Sequence, residues 1–336
     1  MLRKIKFGIV GLGHIGIRHA LCINQHPQGE LIGGYDVLDK DKWRVKDLKL
    51  KYNSLEQLMN DDIDVVNICT PNYLHANIAI DVLRHGKHVV IEKPMSLSSK
   101  ESEAIIAASK EAKKSVFCVM QNRFSPTIIW LKNIISNNML GDIKMVSIHC
   151  FWNRNNSYYL NSDWHGSKKM DGGPLYTQFS HFIDIIYWLF GDISMVDANF
   201  YSFNSGNNFI EFEDSGLITF NLKKGSGRGV LNYSTAVWDK NLESSITIIG
   251  EKGSVKIGGQ YMDTIDYCHI EDYMLPNINT DVECNDYGDY KGSASNHDKM
   301  INNVIDVLLG DSEIHTNALD GLRVVNIIET IYSFRI

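Results

Sequence analysis

From Ile5 to Met120 the chain repeats one pattern: a short apolar run, a polar break, then a longer stretch with helical spacing. The runs Ile5–Val10, Glu30–Asp36, Ile63–Ile68, His88–Ile91 and Val116–Met120 predict strands. The segments His14–Asn24, Asn72–Arg84 and Ser98–Lys114 predict helices. Apolar strands separated by helices are parallel βαβ units, whose sheet must be covered on both faces. This half is therefore expected to be an α/β domain on a parallel sheet.

After Gln121 the pattern changes. Ser125-Pro126 predicts an N-cap followed by proline at the first helical position, opening a helix to about Asn137. Long strands follow over Lys144–Trp152, Ile193–Phe203, Phe209–Leu222, Gly229–Val237, Ser245–Gly250 and Ser254–Ile257, with one helix over Leu175–Phe190. Gly250–Gly253 is expected to be a hairpin turn. Residues 260–295 are polar and predict a long loop. The expected division is 1–122 for the first domain and 123–336 for an α+β domain on a large, mostly antiparallel open sheet. Two closing helices, near His297–Leu309 and Ala318–Ser333, are able to pack back on the first domain.

A length of 336 residues is too great for one ordinary core and suits two. The net charge of −7 argues against nucleic acid or an anionic membrane as the main partner, though not against an anionic small molecule in a basic pocket. The six cysteines form no CxxC pair or zinc spacing, so no metal is expected and the thiols read as reduced. No apolar stretch approaches a membrane span, and the expected location is the cytoplasm.

Gly11-Leu12-Gly13-His14-Ile15-Gly16 is a GxGxxG that follows a strand and opens a helix, the context in which the motif binds a dinucleotide. Its glycines allow a tight turn, and the helix N-terminus favours the pyrophosphate charge. Asp36 ends the second strand at the position of the acidic residue that binds the adenosine ribose. Its carboxylate would repel a 2′-phosphate, so NAD is expected rather than NADP. A turn-forming aspartate is the plainer alternative, and Arg44 could offset the charge. Thr70, Pro71, Asn72 and His75 follow the next strand, with Asn72 able to cap a helix. Glu92-Lys93-Pro94 ends the strand after it. Strand ends of this kind bind ligands in α/β proteins, although the local residues leave a solvated Lys93 and a structural His75 open.

These motifs together with Gly172-Gly173-Pro174-Leu175-Tyr176-Thr177-Gln178-Phe179-Ser180-His181-Phe182-Ile183-Asp184 resemble the Gfo/Idh/MocA oxidoreductases, the family of glucose–fructose oxidoreductase and inositol dehydrogenase. The similarity spans the chain. It implies a Rossmann domain, a sheet domain and an active site between them. It implies Lys93 as the catalytic lysine, a cis Lys93–Pro94 bond, His181 as the acid/base group and Asp184 near the same helix face. The cofactor set it implies is Gly11, Gly13, His14, Ile15, Gly16, Asp36, Thr70, Pro71, Asn72, His75, Glu92, Lys93 and Gln121. There is one departure: the family commonly has aspartate four residues before the histidine, where this chain has Thr177.

Further stretches, Phe151–Tyr159, Asp163–Gly166, Gln121–Phe124 and Ser295–His297, look like the branch that oxidises C3 of UDP-N-acetylglucosamine or its uronic acid. The substrate residues so implied are Lys93, Arg123, Asn153, Arg154, Tyr159, Trp164, Thr177, Gln178, His181 and His297. A free-sugar or inositol dehydrogenase and a non-catalytic dinucleotide-binding regulator are the alternatives. The resemblance also implies a homodimer or homotetramer through the strands after Lys144.

Overall fold

A computed structural model describes residues 3–45, 48–203, 209–279, 284–286 and 291–335. Two compact units emerge, residues 1–120 with 296–325, and residues 121–295 with 326–336.

The first unit holds strands β1 (Ile5–Val10), β2 (Gly29–Tyr35), β3 (Leu50–Lys51), β4 (Val65–Ile68), β5 (His88–Ile91) and β6 (Val116–Cys118). They form one sheet in the order β3-β2-β1-β4-β5-β6, and every pairing is parallel. Its helices are α1 (His14–Gln25), α2 (Leu55–Asn60), α3 (His75–Arg84) and α4 (Ser99–Ala112). The central strands read apolar throughout because both faces are covered, and Val65, Val66, Val89, Val90 and Ile91 are inaccessible to solvent. Strand order reverses between β1 and β4, which puts the loops after Val10 and Ile68 side by side at the ligand-binding edge. The short β3 and α2 were not legible in the sequence. Asn72 does not cap α3: it lies in a 3-10 turn, Asn72–Leu74, and its side chain is buried.

The second unit is built on seven strands: β7 (Ile143–Phe151), β8 (Ile193–Tyr201), β9 (Ser215–Leu222), β10 (Arg228–Ser234), β11 (Glu243–Gly250), β12 (Gly253–Gly258) and β13 (Thr264–Ile270). Their order is β13-β12-β11-β7-β10-β9-β8, with only β7 and β10 parallel. A two-stranded ribbon, β14 (Cys284–Asp286) with β15 (Lys291–Ala294), lies apart from it. Helices α5 (Pro126–Ser136), α6 (Asn156–Leu160), α7 (Pro174–Thr177) and α8 (Ser180–Phe190) complete this unit. One sheet face takes α8, where Phe179 meets Trp152 and Tyr233 at ring distances of 5.4 and 5.3 Å. The other face leaves Met145, Leu217, Ile249 and Tyr267 exposed. The chain closes with α9 (His297–Leu309) and α10 (Ala318–Tyr332).

Three expectations are corrected. The polar segment 260–295 contains β13, an edge strand whose solvated outer residues hide the alternation of a buried strand. The strand expected from Phe209 begins only at Ser215, because Glu211 bonds instead to Gly166, Ser167 and Lys168. The single helix expected over Leu175–Phe190 is broken at Gln178 and Phe179 into α7 and α8. No helix among the described residues is long and apolar enough to cross a membrane. Among the described residues Cys22, Cys69, Cys118, Cys150 and Cys268 form no disulfide; the Cys284 side chain lies outside the described residues.

Candidate active site

In the first unit the turn from β1 to α1 is shaped by its glycines. Gly11 has φ +91°, and a Cβ there would lie 2.5 Å from the Cys69 carbonyl oxygen. A Cβ on Gly16 would lie 2.2 Å from the Gly11 oxygen, so α1 can approach the turn only without a side chain. Gly13 caps α1, and a Cβ on it would meet nothing within 4 Å. That open side, at a helix N-terminus without a side-chain cap, suits a diphosphate. His14 and Ile15 form the first turn of α1, His14 exposed and Ile15 half-buried.

Asp36 makes the local turn contacts of the plainer reading and keeps acceptor capacity for a ribose. Its Oδ2 accepts from the Leu12 amide at 2.7 Å, and Oδ1 accepts from Leu38 at 2.9 Å. Each oxygen keeps lone-pair capacity for a ribose hydroxyl. The Thr70 hydroxyl is buried without a partner among the described residues. Open backbone donors, a carboxylate with spare acceptors and an orphaned hydroxyl, all at the strand-order switch, fit a nicotinamide dinucleotide.

Lys93 follows β5 and is half-buried; its bond to Pro94 is cis. The backbone on both sides is tied down. Lys93 N–H donates to the Glu92 carboxylate at 3.1 Å. His75 lies 2.7 Å from the Pro94 carbonyl and 2.8 Å from that of Thr70, through its two ring nitrogens. His75 thus braces the loops that follow β4 and β5. Burial lowers its pKa while the two carbonyls pull the other way, and in its neutral form the imidazole donates to one of them at a time. Glu92 is buried against His19 and His297. His297, expected to touch substrate, is only 2 % exposed and is occupied with Glu92.

In the second unit His181 opens α8 and is 2 % exposed. Gln121, on the turn after β6, presents its amide nitrogen to His181 Nε2 at 3.3 Å and to Ser293 at 3.0 Å. An amide nitrogen can only donate, so His181 Nε2 accepts there, and its lone pair serves as a base once it leaves Gln121. Arg123 and Asp184 form a buried two-pronged pair at 2.8 and 2.5 Å. The guanidinium also lies 5.4 Å from the Trp188 ring. Arg123 is committed to holding α8, and this explains why Asp184 sits one turn after His181.

Thr177 donates its hydroxyl to Asp171, a fully buried carboxylate that also accepts from the Gly166 amide at 3.0 Å. The sequence reading missed Asp171; its position just before Gly172-Gly173 was the available signal. Gln178 donates to the Tyr158 hydroxyl at 2.9 Å. Burial pushes the Tyr159 hydroxyl up to about 12. Trp164 is half-buried against His165, with ring centroids 4.0 Å apart.

An open cleft of about 600 Å³ is lined by Asn153 to Ser157 and Thr235 to Asp239. Arg154 is 5 % exposed, with its guanidinium carbon 5.0 Å from the Trp152 ring centre and 5.2 Å from that of Tyr158. Asn153 donates to the Val237 carbonyl at 2.6 Å, joining the two walls. Trp238 stands 88 % exposed at this cleft and was not singled out in the sequence.

Residues 5–120 match the oxidoreductase family with an NAD-binding Rossmann fold, and residues 128–256 match the GFO/IDH/MocA C-terminal domain. The chain belongs to the GFO/IDH/MocA oxidoreductase family. Its first unit is an NAD-binding Rossmann domain, and the chain is an NAD-dependent sugar oxidoreductase of that family. The WlbA dehydrogenase of Bordetella pertussis, solved in complex with NADH and UDP-GlcNAcA, is 31% identical with a TM-score of 0.87. The match covers 99% of this chain and 96% of that one. The 2,7-anhydro-N-acetylneuraminate hydratase of Escherichia coli is 28% identical over 76% of this chain and 68% of its own. Inositol 2-dehydrogenase of Salmonella typhimurium is 29% identical over 56% of this chain and 55% of its own.

Proposed function

We propose that this chain oxidises the C3 hydroxyl of a UDP-N-acetylamino sugar, UDP-GlcNAc or UDP-GlcNAcA, to the 3-keto sugar, within synthesis of a bacterial surface polysaccharide or lipid A. The observation that carries the reading is the likeness to WlbA over nearly the whole of both chains. NAD, when bound, accepts the hydride from C3. His181, with its Nε2 lone pair, takes the hydroxyl proton, and the Lys93 ammonium steadies the oxygen as negative charge develops. Asn153 and Arg154 supply an amide and a guanidinium at the cleft for the polar part of the nucleotide. Thr177 and Arg123 hold the shape of the site through Asp171 and Asp184.

The test is NADH absorbance together with mass-spectrometric detection of the keto product. NAD would be supplied with UDP-N-acetylglucosamine, its uronic acid, glucose or inositol. A 3-keto UDP-sugar is the expected product, and the form of C6 that reacts would define the substrate. Reaction with only a free sugar would move the chain to the reading that inositol dehydrogenase favours. NAD binding with no turnover on any sugar would favour a regulator.

We further propose a homodimer or homotetramer through the open sheet face. Met145, paired with Ile249 across β7 and β11, forms an exposed apolar patch there, with Leu217 and Tyr267 farther out on the same face. Light scattering should give a multiple of the 38.1 kDa chain mass, and a monomer would refute this.

A further inference from the structure

Glu92 is the residue before Lys93 and is 5 % exposed. Such burial would push its carboxyl up, but hydrogen bonds from His19 and His297 outweigh it and hold the carboxyl well below the usual range. The group is therefore a buried anion. Oε1 lies 2.9 Å from His19 Nε2 and 3.4 Å from His297 Nε2, and Oε2 accepts from Lys93 N–H. His19 comes from α1 and His297 opens α9. Behind His19, the Asn67 amide from β4 lies 2.8 Å from Nδ1. An amide nitrogen donates, so His19 Nδ1 accepts and Nε2–H points its proton at Glu92. Burial keeps His297 neutral, and as a neutral imidazole it is still able to donate through Nε2.

The three ligand-type atoms lie within 4.8 Å of one another, a spacing compatible with a metal. A metal would need the lone pair of His19 Nε2, and the Asn67 contact places the proton there instead. A buried carboxylate costs stability unless its lone pairs are filled. Here two donors, from α1 and α9, meet one oxygen, and the other accepts from the backbone of Lys93.

We propose that Glu92 is a positioning residue, and that His19, Glu92 and His297 form a hydrogen-bonded clamp that fixes the Lys93 backbone. This rests on the reading of Lys93 as the catalytic lysine. Glutamine in place of Glu92 offers one acceptor and one donor to three facing N–H groups, so at least one is opposed by another donor. Leucine in place of His297 removes a donor, whereas glutamine there restores an N–H.

The test compares Glu92→Gln, His297→Leu, His297→Gln and Lys93→Met in the full chain, using NAD and UDP-N-acetylglucosaminuronic acid. Two readouts are taken: kcat against KM, and hydrogen–deuterium exchange of the peptide covering 88–97. In Glu92→Gln, kcat should fall by about 10- to 100-fold, the range for displaced second-layer partners and small misplacements. Sugar KM and NAD affinity should change less than kcat, since Glu92, read from the sequence as a cofactor residue, spends its carboxylate on His19, His297 and Lys93 N–H. His297→Leu should lower kcat and speed exchange in that peptide, and His297→Gln should recover both. If Glu92→Gln does not fold, the His297 pair decides. Wild-type kcat and exchange in His297→Leu, or stoichiometric zinc in the purified protein, would overturn the clamp. Normal turnover in Lys93→Met would sink the functional reading instead, and the exchange result would still judge the clamp.

Discussion

Replacing Lys93 with methionine should lower turnover by about 10²- to 10⁴-fold, the range for loss of a positioned proton-transfer or charge-stabilising group. NAD should still bind, because the glycine turn, Asp36 and Thr70 are untouched. Methionine keeps the length and apolar stem of lysine and removes only the ammonium. The backbone stays fixed by Glu92 before the side chain and by His75 behind Pro94. His181→Asn should cost a similar factor. The double variant should be little worse than either single one, as groups that share one step are not additive. Single-turnover NADH formation is the measurement to make. It reads the hydride step directly, whereas product retention could mask a change in steady-state rate. Near-normal hydride transfer in Lys93→Met would remove this residue from the chemistry.

The second large effect is on stability. Asp184→Asn leaves the Arg123 guanidinium buried opposite a neutral amide. Both side chains are almost wholly inaccessible, at 4% and 1%. Breaking such a pair from one side costs about 3–5 kcal/mol, because a charge remains without compensation. The pair joins the turn at Gln121–Phe124 to α8, so the loss falls on the element that carries His181. Calorimetry should show the melting temperature falling by roughly 10 °C, at about 2–4 °C per kcal/mol for a unit of this size. Replacing both residues, Arg123→Met with Asp184→Leu, should recover much of that loss. A single Asp184→Asn variant as stable as the wild type would show that the guanidinium finds other compensation.

The Rossmann half was legible because its chemistry is local. Apolar runs buried on two faces, and glycines that make a turn, announce themselves within a few residues. Lys93 and His181 were singled out through motif likeness alone, since nothing about a lysine after a strand distinguishes it from a solvated one. What escaped notice depends on distant partners. Arg123 and His297 both looked like substrate residues until Asp184 was seen opposite the one and Glu92 opposite the other. His19 lies on the buried face of α1, where a histidine usually means ordinary packing. Edge strand β13 was hidden because half its residues face water, and Asp171 because its partners lie on a loop and at the end of the short α7.

The make-up of the first unit bears on how the protein is made. Strand β6 lies at the sheet edge, and its free side is bridged by Asn317, while Thr316 bonds to Cys118 through both backbone and hydroxyl. His297 reaches Glu92 from the same late segment. A chain emerging from the ribosome thus synthesises all five preceding strands and β6 long before these partners exist. Until about residue 317 arrives, the nascent domain carries an uncovered strand edge and an anion short of a donor, a state prone to mispairing. An early stop within the second unit would therefore leave the first unit unfinished as well, although every glycine of the turn had already been translated.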